Sequence, residues 1–349
     1  MTDPNENLPG GLRQGISGRR RGISLSDNEA VREGALSPGQ VLPLLLEPTR
    51  DGVDLVGWAA NRKEELGNLL LKTGGILFRG FRLGGAPDLE RLVRALSDEV
   101  LDYTYRSTPR SEVSGKIYTS TEYPPDQSIP MHNEMSYTRS WPRKIWFFSI
   151  QVAETGGETP IADSRKVFQQ LDSEIRHKFA DKGVMYVRNY GSGLDLPWQD
   201  VFQTADRAEV EAFCRRSGIE LEWKGRDELR TRQVCQAVAR HPETGEDLWF
   251  NQAHLFHISS LDPAAREFLL EEFGEEGLPR NTYYGDQSPI EESYLEEIRE
   301  VYRRNQVIFP WHEGDVLMLD NMLIAHGRQP FTGRRRVVVG MAEAWPRAV

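Results

Sequence analysis

Gly314-Asp315-Val316-Leu317-Met318-Leu319-Asp320-Asn321-Met322-Leu323-Ile324-Ala325-His326-Gly327-Arg328-Gln329-Pro330-Phe331 is the most informative stretch of this 349-residue chain. Val316 to Leu319 are an unbroken apolar run of strand length, set off by Gly314-Asp315 and Asp320-Asn321. The run reads as a buried strand entering a turn, with His326 directly after it. Outward from there the chain is strand-rich. Further candidates are Ile76-Leu77-Phe78-Arg79-Gly80-Phe81 and the stretches 116–121, 145–152, 184–187, 234–239, 248–251, 307–309 and 337–341, separated by Gly, Pro and Asp. Leu89, Leu92, Val93, Leu96 and Val100 recur at helical spacing after Pro87, and Leu66, Leu69 and Leu70 suit a helix ending at Gly74-Gly75. Helical stretches near 165–178, 209–216 and 291–304 interrupt the strands. Many strands without regular βαβ alternation predict a mainly β fold, an antiparallel sandwich or barrel with peripheral helices.

Composition bounds the remainder. Apolar residues at 38% and charged residues at 28% suit a folded globular protein. A formal net charge of −10 argues against a surface built for nucleic acid. No run of 18 apolar residues exists, so no membrane-spanning helix is expected, and with no signal peptide at the start a cytoplasmic location is the default. Cys214 and Cys235 make no disulfide framework and no zinc-finger spacing, and read as buried or free thiols in a reducing compartment. Residues 1–38, which carry Arg19-Arg20-Arg21, lack apolar periodicity and are expected to be a flexible arm. Residues 39–349 are expected to be one domain, with helical insertions over about 163–230 and 260–305.

The chemistry is sought among the seven histidines. In His132-Asn133-Glu134 an imidazole and a carboxylate stand at i and i+2, which on an extended segment share one side and can grip one cation. A distant histidine, His326, would complete two His and one carboxylate, a set that leaves open positions on iron(II). The pair alone is weak, because about one His-x-acid match is expected by chance in this composition. The second match, His241-Pro242-Glu243, lies in a Pro/Gly-containing hairpin turn and reads as solvated. His254 and His257 stand at i and i+3 without a carboxylate to complete them and read as structural, His312 as a turn residue, and His177 as an exposed residue of a charged helix. Arg334, Arg335 and Arg336 lead into Val337-Val338-Val339. An arginine entering an apolar strand is costly unless a carboxylate meets it, and a dicarboxylate cosubstrate would supply one. A basic surface turn is the other reading, taken for Arg334.

At these residues the chain resembles the iron(II)/2-oxoglutarate-dependent dioxygenases of the taurine dioxygenase (TauD/TfdA) family, and within it the syringomycin-biosynthesis (SyrP-like) amino-acid hydroxylases. The resemblance spans roughly Thr73 to Ala342 and is carried by 74–81, Met131-His132-Asn133-Glu134, Glu154-Thr155-Gly156-Gly157-Glu158-Thr159-Pro160, Trp249-Phe250-Asn251-Gln252 and the stretch from His326 to Val339. It implies a double-stranded β-helix (jelly roll, cupin-like), with His132, Glu134 and His326 as metal ligands and catalytic residues. It implies Thr159 and Arg336, with Arg335 as second choice, on the distal carboxylate of 2-oxoglutarate. Glutamate stands where the taurine enzymes have aspartate, as in the clavaminate-synthase-like branch. Gly340, four residues after Arg336, stands where they carry a second arginine, which argues against sulfonate substrates. Glu134 closes the position that halogenases open for chloride.

The implied cofactors are Fe(II), 2-oxoglutarate as cosubstrate and O2. The implied reaction is hydroxylation of an unactivated C–H bond of an amino acid or amino-acid-derived small molecule, free or tethered to a carrier protein, in specialised metabolism such as antibiotic biosynthesis. Glu122, Trp249 and Asn251 are the candidate substrate contacts, each with a bland alternative: a solvated loop carboxylate for Glu122, core packing for the other two. Desaturation or cyclisation by the same oxidant, a metal-dependent hydrolase or isomerase on a β-scaffold, and a non-catalytic binding module are the competing readings. The sequence leaves the oligomeric state open.

Overall fold

The computed structural model describes residues 30–346 apart from 106, 109 and 122. Its largest sheet has the strand order Val31–Gly34, Leu44–Pro48, Gly75–Phe78, Val316–Asp320, Trp141–Gln151, Arg336–Trp345, Ile117–Thr119, Glu112–Ser114. Neighbours run antiparallel except Leu44–Pro48 beside Gly75–Phe78. Side chains alternate between two apolar environments. One face presents Leu77, Phe147, Leu317, Val337 and Val339 to Ile161 and Ile324 of a three-stranded sheet, ordered Ile129–His132, Ile324–Arg328, Ile161–Asp163. The other face presents Ile76, Phe78, Trp146, Phe148, Met318 and Val338 to the helices Lys63–Thr73 and Ala86–Leu96. Burial on both faces is why these strands read as continuous apolar runs rather than alternating ones. The architecture is a mainly β double-stranded β-helix with peripheral helices.

The helices form where their periodicity places them. Ala86–Leu96 has Pro87 in its first turn and buries Leu89, Leu92, Val93 and Leu96. Lys63–Thr73 ends at Gly74, whose φ of 79° is left-handed. A Cβ there would lie 2.5 Å from Ile324 Cδ1, so glycine answers both the backbone and the packing against the strand that carries His326.

Several expectations need correction. The expected arm ran to residue 38, but Val31–Gly34 pairs with Leu44–Pro48 in four-residue register, so strand structure starts earlier. Residues 1–29, with the arginine run, lie outside the described residues. The stretches expected as helical insertions also contribute strands: Val184–Tyr190, Glu220–Trp223 and Arg280–Tyr284 join Leu229–Cys235 in a four-stranded sheet over a separate apolar cluster. Val307 makes one bridge with Ile161 rather than a strand, and Pro310 follows shortly after. Both cysteines are buried and unpaired, and burial pushes each thiol up to about 12. Among the described residues no helix is long and apolar enough to cross a membrane.

Trp146 is fully buried at the centre of the helix-facing side. Trp146→Ala is expected to cost about 3–5 kcal/mol in urea unfolding, while Val41→Ala, at a 73% exposed position, changes stability by about 0.5 kcal/mol or less. Equal midpoints for the two variants would contradict this packing.

Candidate metal centre

Two strands far apart in the chain bring the histidines together. Ile129–His132 pairs antiparallel with Ile324–Arg328, and His132 stands directly opposite His326. Directly opposed residues hold their Cβ atoms about 4.5–5.5 Å apart, and the two imidazole centroids are 4.6 Å apart. The register shifts between His326 and Arg328. Gly327 sits at that shift, where a Cβ would come within 2.7 Å of the Ile129 carbonyl oxygen.

Glu134 follows the first strand at a turn, and its backbone is locked to the Asp320-Asn321 turn. Its N–H donates to Asn321 Oδ1 at 2.7 Å, and Asn321 Nδ2 donates to the Glu134 and Pro142 carbonyl oxygens at 2.9 and 2.8 Å. Asn133 Nδ2 returns the contact, donating to the Asn321 carbonyl oxygen at 2.7 Å. One ligand-type atom each from His132, Glu134 and His326 thereby lies within 4.8 Å of the others, and Glu134 Oε2 is 3.9 Å from His326 Nε2.

The donor set fits a divalent iron. His132 Nδ1 lies 2.8 Å from the Pro130 carbonyl oxygen, which can only accept, so Nδ1 carries the proton and Nε2 keeps its lone pair. Burial lowers the pKa of both histidines, that of His326 strongly, with His132 and Arg110 adding to the effect there. Both rings are therefore neutral at pH 7, the form that binds metal. His326 Nδ1 is buried without a hydrogen-bond partner among the described residues. Two neutral imidazoles and a carboxylate on one side of an ion leave its other positions open.

A small, partly enclosed pocket opens beside the histidines. Arg110, Thr159, Phe147, Arg328, Arg335 and Val339 are among its lining residues. Thr159 is buried, and its Oγ1 accepts from Trp311 Nε1 at 3.1 Å, leaving the hydroxyl proton free to donate. Arg335 Nε donates to the Gly157 carbonyl oxygen at 2.8 Å, and its Nη1 lies 3.4 Å from Ser120 Oγ. Burial, with Arg328 close by, pushes its pKa down to about 10, so it remains a cation at neutral pH. Arg328 donates to the carbonyl oxygens of Tyr123, Pro124 and Gln127.

The order expected for the two arginines is reversed in the structure. Arg336 is exposed at the start of its strand, whereas Arg335 lines the pocket. Arg335 stands just before the strand and lines the same pocket as Val339, while the strand's register against 141–151 is irregular between Arg336 and Val337. Arg334 is exposed, as expected. Trp249 and Asn251 do not border the pocket. Trp249 packs edge-on against Phe179 in the cluster beneath the second sheet, and Asn251 spends its amide on the Ala237 carbonyl oxygen and the Ala253 N–H. Their apolar setting marks core packing rather than a binding surface. Glu122 lies outside the described residues.

His241 is not solvated. It is buried with Nε2 3.1 Å from Asp320 Oδ2, because the hairpin folds back onto the turn that carries Asn321. His254 and His257 are structural: His254 Nε2 meets the Met131 carbonyl oxygen at 2.9 Å, and burial pulls its pKa down to about 3. Sequence reading passed over Arg110, Arg328 and Asn321. Arg328 had a legible signal in its i, i+2 spacing from His326, whereas Arg110 had none.

A family model described as taurine catabolism dioxygenase TauD, TfdA family matches residues 40–342. The dapdiamide synthesis protein DdaC of Enterobacter agglomerans is 42% identical over 275 residues, which are 79% of this chain and 84% of that protein. A clavaminate synthase-like protein of Arabidopsis thaliana is 29% identical over 293 residues, 81% of this chain and 85% of that protein. Among solved structures, PvcB of Pseudomonas aeruginosa matches with a TM-score of 0.52 at 18% identity, covering 91% of this chain and 93% of that one. A taurine dioxygenase from Burkholderia xenovorans matches with a TM-score of 0.51 at 16% identity, covering 90% and 89%. At such identities these two speak for the fold alone. The chain belongs to the TauD, TfdA family and is an iron(II)- and 2-oxoglutarate-dependent dioxygenase.

Proposed function

We propose that this dioxygenase hydroxylates an unactivated C–H bond of an amino acid or amino-acid-derived small molecule, free or carrier-tethered, in specialised metabolism. His132, Glu134 and His326 hold the iron, and Thr159 with Arg335 holds the distal carboxylate of 2-oxoglutarate. The observation that carries the reading is the His-Glu-His cluster opening onto a pocket whose Arg335 guanidinium has no carboxylate partner among the described residues. The name of the relative DdaC, a dapdiamide synthesis protein, supports a natural-product pathway.

Bound iron(II) would supply the oxidising chemistry with O2 as the oxidant, one oxygen atom entering succinate as CO2 leaves 2-oxoglutarate and the other entering the substrate. The chain's own residues bind, orient and exclude water. The Gly157 carbonyl fixes Arg335 through Nε, so its other nitrogens present a preset cation to a carboxylate. Trp311 orients the Thr159 hydroxyl as a donor to the same group. Phe147 and Val339 keep the space between clamp and histidines apolar. With the clamp at Arg335, the fourth residue onward is Val339. Gly340 faces the helix layer, where a Cβ would meet Ile117 and Val93 at 3.1 Å. Neither position offers a second arginine, which supports a substrate other than a sulfonate. A hydrolase or isomerase has no use for the Arg335 clamp.

Anaerobic addition of iron(II) and then 2-oxoglutarate is expected to raise a weak visible absorption band, absent from His132→Ala in folded protein, and Glu134→Ala is expected to abolish hydroxylation. A band of full strength in folded His132→Ala, or undiminished hydroxylation in Glu134→Ala, contradicts the ligand assignment. Arg335→Ala is expected to weaken 2-oxoglutarate binding by about 2–5 kcal/mol, read by titrating that band, and Arg336→Ala by less than about 1 kcal/mol. The opposite ranking would return the clamp to Arg336. Product masses from a substrate screen coupled to succinate formation decide hydroxylation, at plus 16, against desaturation, at minus 2.

A further inference from the structure

Trp249-Phe250-Asn251-Gln252 is part of the family resemblance, yet none of its residues borders the pocket. His254 stands just beyond it, and both Gln252 and His254 are buried. Their side chains end on the metal-bearing segment. Gln252 Nε2 donates to the Asn133 carbonyl oxygen at 2.9 Å, and His254 Nε2 lies 2.9 Å from the Met131 carbonyl oxygen. A carbonyl only accepts, so His254 Nε2 carries the proton and donates. The Met131 carbonyl belongs to the peptide that enters His132, and the Asn133 carbonyl to the peptide that enters Glu134. Each of these two ligands therefore has its preceding peptide gripped by a side chain from elsewhere in the fold.

The two gripping residues are themselves held by the second sheet and its helices. Gln252 N–H donates to Tyr186 Oη at 2.7 Å, from strand Val184–Tyr190. Asn251 joins the Ala237 carbonyl oxygen to the Ala253 N–H, where the short helix Ala253–Phe256 begins. Thr282 Oγ1 donates to the Ala253 carbonyl oxygen at 3.2 Å, and Arg299 Nη2 to that of His254 at 3.0 Å. Gln236 repeats the pattern further along, donating to the carbonyl oxygens of Ser136 and Thr138 at 2.9 and 3.1 Å. Buried, directional bonds of this kind specify one placement of a segment, which apolar packing alone does not. The Asn133 carbonyl also accepts from Ser136 N–H and Oγ at 3.2 and 2.9 Å, so it stays bonded without Gln252. What Gln252 adds is the tie between the two layers.

We propose that Gln252 and His254 are positioning residues of the iron site. They act through the backbone, fixing the peptides that enter Glu134 and His132 so that carboxylate and imidazole meet one ion. This rests on the ligand assignment above. Neither residue belongs to the ligand cluster, so neither is catalytic. His254 Nδ1 is buried with no hydrogen-bond partner among the described residues, and the ring lies against Tyr302 with centroids 5.0 Å apart. The ring packs and the Nε2 proton positions, and substitution separates the two roles.

The test is an anaerobic titration of the full chain with iron(II) at saturating 2-oxoglutarate, read by the visible band at a temperature where the variants are folded. His254→Phe keeps the ring and removes the donor, and Gln252→Met keeps the length and removes the donor. Each is expected to weaken iron(II) binding by about 10- to 100-fold, the range for groups that orient metal ligands. His254→Gln restores an amide donor near the place of Nε2 and is expected to lose less than about 10-fold. Trp146→Ala lowers stability in the other core layer and is expected to leave iron(II) affinity unchanged, which separates positioning from general destabilisation. The proposal is overturned if a folded variant without the donor holds iron(II) as tightly as wild type, if His254→Gln loses as much as His254→Phe, or if Trp146→Ala loses as much as either. If one of the two donor-free variants does not fold, the other decides. If neither folds, the two side chains carry the fold rather than the ligands, and the proposal fails. A wild type that forms no band sinks the ligand assignment itself, and this proposal with it.

Discussion

The structure depends on a reciprocal pair of amide contacts between Asn133 and Asn321. Asn321 holds the backbone of Glu134 at both its N–H and its carbonyl, while the Asn133 side chain holds the backbone of Asn321. All these groups are buried, so each bond is made where an unmade one would leave a polar group unsatisfied. The lock ties the segment carrying His132 and Glu134 to the turn that launches the strand of His326. Asp320 finishes that turn by accepting the N–H groups of Met322 and Leu323, and buried His241 sits against its other oxygen. The convergence of His132, Glu134 and His326 is thus tied to a turn-to-turn clamp.

How much of this the sequence discloses follows from how each signal is encoded. The strands 141–151, 316–320 and 336–345 are covered on both faces, so their apolar runs announce them. The helix 86–96 carries its period openly. The edge strand 31–34 has a half-exposed, mostly polar pattern and pairs only with its neighbour, so composition hides it. The helix 263–277 has no buried residue and therefore no apolar stripe to read. Strands are legible here in proportion to the apolar surface they bury.

The site divides in the same way. His132, Glu134 and His326 could be proposed from motif spacing and family resemblance, because a metal demands fixed residue types. The placement of Arg335 at the pocket and Arg336 away from it was not legible, because both stand where the strand begins and its register is irregular between Arg336 and Val337. Arg110 was not legible, because a loop residue reaches a pocket through tertiary packing alone. His241 shows the converse error: a turn sequence normally means solvent, but this hairpin lies over the 320–321 turn and is buried by it.

A strand pair and a clamp explain why ligand atoms converge, and electrostatics explains what they wait for. Buried guanidiniums are retained at a cost unless their charge is met. Arg328 meets part of that cost with backbone carbonyl dipoles, and Tyr123 and Phe331 lie near it. Arg335 has one carbonyl and one hydroxyl, too little for a full cation. Arg110 has one carboxylate oxygen, and that carboxylate also belongs to the metal cluster.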